Sequence, residues 1–168
     1  MARVKPKPTD SSLRRLERAA RGALAHSYSP YSKFRVAAAV LAGSGKVYSG
    51  CNVENASYGL CNCAERTAIF SAVAAGERSI RAVMVYTPTP LPTAPCGACR
   101  QVMYEFADKN TALYLVDLNP SSGRRTLNKT TVFKMLPMAF DPLASGLLPQ
   151  NPRNLLNRKN ARSRARGK

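Results

Sequence analysis

The sequence contains little that would place this chain in a membrane or on a secretory route. Its longest apolar stretch, residues 36–42, is too short to cross a bilayer. The first ten residues hold no apolar segment, so we expect no secretory signal. With 168 residues, 45% of them apolar, the chain has the length of one domain and enough apolar side chains for one core. We therefore expect a cytoplasmic protein with no membrane partner.

Histidine is almost absent, and cysteine is too scarce for a disulfide scaffold. The single histidine, His26, falls at the end of a predicted helix, where a cation is favourable, and we assign it no catalytic role. The cysteines are odd in number and crowd into two short regions, which in a reducing compartment indicates metal ligation or thiol chemistry. They are Cys51, Cys61, Cys63, Cys96 and Cys99.

Acidic residues are also few, nine against 26 lysines and arginines, and the formal net charge is +17. Residues 1–21 carry a balance of +5 and residues 153–168 carry +7, which leaves +5 for the long middle of the chain. Because most of the excess lies at the ends, the middle is only modestly basic. We expect a flexible arm over 1–9, one domain over 10–142, and a basic, disordered tail over 143–168.

Alternating helix and strand patterns predict an α/β fold with three layers, α/β/α. Asp10 or Ser11 could cap a first helix whose apolar face holds Leu13, Leu16, Ala20 and Leu24. The strands predicted over 80–86 and 112–118 should be parallel, because the helix predicted over 97–107 connects them as a crossover. The strands are predicted over 34–41, 46–51, 80–86, 112–118 and 124–127, and further helices over 63–75, 97–107 and 132–136.

Two short motifs carry the chemistry, and each is expected at the start of a helix. They are Cys63-Ala64-Glu65 and Pro95-Cys96-Gly97-Ala98-Cys99. A helix N-terminus stabilises thiolate over thiol, and three cysteines can bind zinc with one tetrahedral position left over. This pattern is a signature of zinc deaminases. A cysteine-lined core or a redox Cys-x-x-Cys pair would explain neither Glu65 nor the third cysteine.

Longer segments resemble the small, homotetrameric cytidine deaminases in order and spacing over about residues 12–142. The segments are 28–36, 50–58, 63–68, 95–102 and 136–140. The resemblance implies a mixed five-stranded sheet and Zn²⁺ as the cofactor. It implies hydrolytic deamination of cytidine or deoxycytidine to uridine or deoxyuridine in pyrimidine salvage, with release of ammonia, by a homotetramer with shared active sites.

The resemblance also implies a role for each residue of the two motifs. Cys63, Cys96 and Cys99 would bind the zinc ion. Glu65 would be the catalytic group that takes a proton from water, delivers one to N3 of the base and protonates the departing amine. Arg66 would donate hydrogen bonds to the thiolates and offset their negative charge.

Substrate contacts are implied for six residues: Phe34, Asn52, Glu54, Tyr58, Ala64 and Phe140. Asn52 and Glu54 alternate along an extended segment, so both side chains point the same way and could hold a pair of ribose hydroxyls. Without the resemblance, such a pair is more often part of a solvated loop, and Phe34 would more often be core. Ala64 would offer its backbone N–H to the base. Tyr58 and Phe140 would reach a neighbouring subunit's site.

Two alternatives to a free-nucleoside enzyme remain at this point. A deaminase of a modified nucleoside or of a polynucleotide would use the same zinc chemistry. Against a polynucleotide, the Asn52 and Glu54 pair would crowd a continuing strand. A nucleic-acid-binding protein on a deaminase fold is the other alternative, although the intact Glu65 argues against it. A weak nucleic-acid contact through the basic residues 150–168 stays open.

Overall fold

The computed structural model describes residues 8–90, 93–141 and 145, and it contains a five-stranded mixed sheet with three helices. The helices are α1 (Asp10–Leu24), α2 (Ala64–Ala74) and α3 (Gly97–Phe106). The strands are β1 (Ala37–Ala42), β2 (Val47–Cys51), β3 (Ile80–Thr87), β4 (Ala112–Leu118) and β5 (Arg125–Thr131). The strand order is β2-β1-β3-β4-β5. Strands β3 and β4 pair in parallel, as predicted, and the other neighbours are antiparallel.

The sheet lies between two apolar clusters, which gives the predicted three layers. On one face, Leu16 and Ala20 of α1 pack with Met84 and neighbouring side chains of β1, β3 and β4. On the other face, Ile69 of α2 and Met103 of α3 pack with side chains of the same strands. Because residues alternate along a strand, each central strand supplies both clusters. The helices that carry the two cysteine motifs therefore share one side of the sheet.

Several element boundaries differ from the sequence prediction, most of them by one residue, and three of the differences are informative. Helix α1 is capped by Thr9, whose side chain accepts a hydrogen bond from Ser12 N, and not by Asp10 or Ser11. Strand β1 begins at Ala37 and not at Phe34, because the Asn52 side chain occupies backbone groups of the preceding residues. Strand β5 runs to Thr131 although its polar residues carry no apolar signal.

A short 3-10 segment at Tyr58–Leu60 precedes the first motif and was not predicted, while a second one at Phe133–Met135 lies within the predicted helix at 132–136. Such short turns carry little sequence signal, because they rest on one or two hydrogen bonds.

The chain divides into two compact units, Met1–Pro137 and Met138–Lys168. The predicted arm over 1–9 and the predicted tail over 143–168 lie outside the described residues, apart from residues 8, 9 and 145. The domain boundary at residue 142 therefore stays a prediction. In the described part of the chain, none of the helices has the length and apolarity that a membrane crossing requires.

Candidate active site

The two cysteine motifs meet at the starts of α2 and α3. Cys63 is the N-cap residue of α2 and Cys96 that of α3, and both have extended backbone conformations without a side-chain cap. Cys99 is fully buried in the first turn of α3, whereas Cys96 is exposed. The sulfur atoms of these three residues lie within 4.8 Å of one another, and Cys63 Sγ is 3.9 Å from Cys96 Sγ. One ion can therefore contact all three.

This donor set fits zinc. A tetrahedral zinc ion with Zn–S bonds of about 2.3 Å holds its sulfur ligands roughly 3.8 Å apart, close to the spacing observed here. Three sulfurs leave the fourth position of the tetrahedron for a water molecule or a substrate. The other two cysteines make local bonds instead: Cys51 Sγ donates to His26 O (3.2 Å) and Cys61 Sγ to Asn55 O (3.6 Å). Neither belongs to the cluster, which agrees with the three ligands that the resemblance implies.

The surroundings of Cys63 stabilise its thiolate. Its pKa is lowered to about 5, first because Cys99 hydrogen-bonds to its sulfur and then because Arg66 adds a hydrogen bond and a positive charge. Arg66 Nη2 lies 3.7 Å from Cys63 Sγ and also donates to Cys61 O at 3.1 Å. Because only the thiolate ligates a metal ion, a lowered thiol pKa favours metal binding.

Glu65 follows Cys63 in the first turn of α2, and its side chain is only 4% exposed. Burial raises the pKa of its carboxyl, the negative charge of Cys63 raises it further, and a hydrogen bond from the Cys99 thiol opposes the shift. The carboxyl therefore lies beside the sulfur cluster. A raised pKa suits a carboxyl that acts as an acid as well as a base.

Ala64 is the first residue of α2 and stands between Cys63 and Glu65 in the sequence, and it is fully buried. The first N–H groups of a helix have no partner within the helix, so they are available to an acceptor on a ligand. The structure thus places a backbone donor at the same helix start as the first sulfur ligand.

Asn52 and Glu54 hold the chain that leads into β1. Asn52 Nδ2 donates to Phe34 O (2.8 Å), and its Oδ1 accepts from Val36 N (2.9 Å). Glu54 Oε2 accepts from the backbone N–H groups of Tyr31 (2.9 Å) and Ser32 (3.2 Å). The Ser32 hydroxyl also donates to Glu54, and this bond is the main reason that the pKa of Glu54 is lowered.

A cavity of about 280 Å³ opens beside Glu54, and Tyr31, Ser32, Tyr58 and Cys61 also line it. The rings of Tyr31 and Tyr58 meet edge to face, with their centroids 5.8 Å apart. Glu54 and Tyr58, two of the predicted substrate contacts, are thus brought together at one cavity. Tyr31 and Ser32 are lining residues that the sequence analysis did not single out, although the turn sequence around Pro30 could have drawn attention to them.

Phe34 and Phe140 are not among the residues that line this cavity. Phe34 precedes β1 and is 42% exposed, so it is not the core residue that its pattern alone would favour. Phe140 belongs to the second compact unit and is 61% exposed.

Two residues that the sequence analysis did not single out make hydrogen bonds at the second motif and just before it. Arg100 Nε donates to Pro95 O (2.7 Å), and its Nη1 donates to Met135 O (3.0 Å). Asp117, buried in β4, accepts a hydrogen bond from Thr93 N (3.2 Å). The available signals were an arginine directly after Cys99 and a single carboxylate inside an otherwise apolar strand.

Comparisons with known proteins agree with this geometry. The family model of the cytidine and deoxycytidylate deaminase zinc-binding region matches residues 10–115. A cytidine deaminase of Sporosarcina psychrophila is 50% identical over 114 residues, which are 68% of this chain and 80% of that protein. A cytidine deaminase of Halalkalibacterium halodurans is 48% identical over 114 residues, 68% of this chain and 83% of its own. The crystal structure of cytidine deaminase from Burkholderia pseudomallei is 48% identical, with a TM-score of 0.69, over 76% of this chain and 98% of that one.

Proposed function

The chain belongs to the family of zinc-dependent cytidine and deoxycytidylate deaminases. We propose below which of its residues take part in the hydrolytic deamination of cytidine and what each of them does. The activity is hydrolytic deamination of cytidine, which gives uridine and ammonia and depends on zinc. One observation carries the assignment of residues: three sulfur atoms from two helix starts lie together, with the buried carboxyl of Glu65 beside them.

Cys63, Cys96 and Cys99 form the zinc site. Bound zinc supplies Lewis acidity, which lowers the pKa of a water molecule enough for hydroxide to be available near neutral pH. Three thiolates give the site a net negative charge, which opposes this effect. We propose that Arg66, whose guanidinium lies against Cys63 Sγ, offsets part of that charge.

Glu65 is proposed as the proton carrier of the reaction. It accepts a proton from the attacking water and delivers it to N3 of the cytosine ring, and it later takes the proton of the new hydroxyl group at C4 and delivers it to the departing amine. Its burial beside the sulfur cluster supports this role, because a carboxyl shielded from solvent can exchange protons with the substrate and not with bulk water. Ala64 is proposed to donate its backbone N–H to the carbonyl oxygen of the base.

The sugar is proposed to contact Asn52 and Glu54, and Phe34 to pack against the nucleoside. Support comes from the position of Glu54 at the cavity and from the exposure of the Phe34 ring. Tyr58 and Phe140 are proposed to complete the site of a neighbouring subunit in a homotetramer. Exposed aromatic side chains such as Tyr58, which is 72% exposed, are typical of surfaces that another chain covers. Measurement of the native mass tests the assembly, and a homotetramer should have the mass of four chains.

We also propose the cytoplasm as the location, since all five cysteines are free and three of them form the metal site, which suits a reducing compartment. There the enzyme would serve pyrimidine salvage. Residues 150–168, which lie outside the described residues, are proposed to make a weak contact with nucleic acid because of their positive charge. RNA retention by a chain trimmed before residue 150 tests this contact.

The substitution Glu65→Gln tests the assigned chemistry directly. It removes the proton carrier and keeps the size of the side chain, so zinc content and fold should be retained. The kcat for cytidine should fall by several orders of magnitude, because a single proton transfer contributes about 10²–10⁴-fold and the carboxyl is used more than once. Ultraviolet absorbance follows turnover, and metal analysis follows zinc.

Glu105→Gln is the matched control, because Glu105 is an exposed carboxylate on α3, the other ligand-bearing helix. It should leave turnover within about twofold of the parent, as surface substitutions usually do. A Glu65→Gln variant that keeps a tenth of the parental kcat would contradict the role of Glu65.

A further inference from the structure

Asp117 is a carboxylate buried inside an apolar strand, and the catalytic roles proposed above do not use it. It lies in β4, whose other residues are apolar, and its side chain is 1% exposed. Burying a carboxylate in such a place is costly unless hydrogen bonds compensate. The hydrogen-bond partners of Asp117 therefore indicate what its carboxylate does in the structure.

Nearly all of the hydrogen bonds of Asp117 converge on one oxygen atom. Oδ1 accepts from the hydroxyl groups of Thr87 (2.6 Å) and Thr89 (3.1 Å) and from Thr93 N (3.2 Å). Among the described residues, Oδ2 accepts from the Thr126 hydroxyl alone, at 3.5 Å. The carboxylate thus has one side that faces the connection from β3 to α3 and another side that faces β5.

The Oδ1 side ties this connection to the sheet. Thr87 is the last residue of β3 and pairs with Asp117 in the parallel register of β3 and β4. Thr89 and Thr93 follow it in the chain, before the N-cap residue of α3, Cys96. A single buried oxygen atom therefore fixes the end of a strand and two points on the chain that leads to the second zinc-binding motif.

The segment between Thr93 and Cys96 transmits this anchoring because it has little conformational freedom. Ala94 precedes a proline, which limits its backbone to extended conformations, and Pro95 has a fixed φ. Pro95 is buried, and its carbonyl group accepts the hydrogen bond from Arg100. A displacement of Thr93 would consequently displace Cys96.

Cys96 needs such an anchor more than the other two sulfur ligands do. Cys99 is fully buried in the core, and Cys63 is half-buried, whereas Cys96 is exposed. Packing therefore does little to fix the Cys96 side chain. Its position depends on the backbone that carries it.

We propose that Asp117 is a positioning residue of the zinc site, which holds Thr93 and thereby keeps Cys96 Sγ in place for the metal ion. The inference rests on the proposed function, because it takes Cys96 as a zinc ligand. The groups around a metal ligand set how tightly the metal is held, and replacing them commonly weakens binding by about 10–100-fold.

The experiment compares the zinc-loaded full chain with two variants of Asp117. In Asp117→Val no oxygen remains to hold the connection, and zinc transfer to a colorimetric chelator should be about 10–100-fold faster. Asp117→Asn should restore slow release. Its amide oxygen can take the place of Oδ1 as an acceptor facing the connection, while its NH₂ group can donate to the Thr126 hydroxyl.

Two threonine variants separate the two sides of the carboxylate. Thr126→Val removes the bond to Oδ2 and leaves the connection untouched, so zinc release should not change. Thr89→Val removes one bond to Oδ1, together with the contacts of the same hydroxyl group with those of Thr87 (2.9 Å) and Thr93 (3.2 Å), and should speed release by about 2–10-fold. If Asp117→Val fails to fold, Thr89→Val against Thr126→Val carries the same comparison.

Cobalt substitution gives a second readout that global stability does not move. Bound Co²⁺ absorbs through its bonds to the cysteine sulfurs, so a displaced Cys96 should alter the spectrum of Asp117→Val and leave that of Thr126→Val as in the parent. Zinc release and cobalt spectra equal to the parent's in both Asp117→Val and Thr89→Val, even with a lower unfolding midpoint, would show a structural role only and overturn the proposal. A parent protein that binds no zinc would instead overturn the proposed function.

Discussion

The two halves of the zinc site are held in place by different forces. Cys63 lies at the start of α2. This helix packs so closely on the sheet that a Cβ added at Gly50 of β2 would lie 2.6 Å from Ala68 N. Cys96 arrives on a connection that is fixed by hydrogen bonds, from Arg100 to Pro95 O and from Thr93 N to the carboxylate of Asp117. One half therefore depends on steric fit and the other on polar anchors. The same ligand type can be positioned by either means, and each has its own weak point.

The largest effect is expected from loss of the metal ion, which both halves of the zinc site hold. Cys99→Ala takes away the buried sulfur and should abolish stoichiometric zinc, and with it the activity, because two cysteines no longer make a catalytic zinc site. Zinc per chain after gel filtration is the measurement. Cys61→Ala is the control, since its sulfur bonds to Asn55 outside the cluster, and it should keep its zinc. Stoichiometric zinc in Cys99→Ala would show that the ligand set is wrong.

Gly50→Ala tests the steric half. The added methyl group would lie within 3 Å of Ala68 N and of Thr67 Cβ, and neither can move without shifting α2. We expect unfolding to become easier by about 1–3 kcal/mol, the usual cost of overpacking. Thermal or urea unfolding at fixed protein and zinc concentrations measures it.

Gly22→Ala is the matched control for this substitution. Gly22 lies inside α1, and apart from the helix's own backbone an added Cβ would meet no atom of the described residues within 4 Å. The change should stabilise the chain by about 0.5–1 kcal/mol, because alanine favours a helix over glycine. Equal stability changes in the two alanine variants would contradict the close approach of α2 to the sheet.

Arg100→Met tests the polar half and should have the smallest effect of the three. Methionine keeps much of the side-chain length but donates to neither Pro95 O nor Met135 O, so zinc release should speed up by about tenfold. Arg78→Met is a matched control, because Arg78 also donates to two backbone carbonyls, those of Val73 and Glu77, at the far end of α2. If both variants released zinc at the same rate, the anchoring role of Arg100 would be lost.

The parts of the fold that could be predicted are those with local signals. The two cysteine motifs mark the helix starts, and the parallel pairing of β3 and β4 follows from the helix between them. The late start of β1 could not be predicted, because it depends on the Asn52 side chain binding a backbone group 18 residues away. The second half of β5, residues 128–131, likewise extends beyond the predicted strand, because its residues are polar and carry no apolar periodicity.

The candidate site divides in the same way. Its sulfur cluster lies in two short motifs with a known spacing, and those residues were identified from the sequence. The bond between Asp117 and Thr93 joins residues 24 positions apart, in a strand and in a connection, and no periodicity connects them. Anchors of this kind become visible only when the sheet brings the ends of β3 and β4 together.

Glu54 illustrates how a single side chain can serve both folding and recognition. A carboxylate can accept about four hydrogen bonds, and the turn at Tyr31 and Ser32 already supplies three. One acceptor position is left for a sugar, so on the proposed role Glu54 receives one hydroxyl group and cannot clasp two. A second sugar hydroxyl then has to bind to another group, and a substitution of Glu54 would also remove the hydrogen bonds that hold the turn at Tyr31 and Ser32.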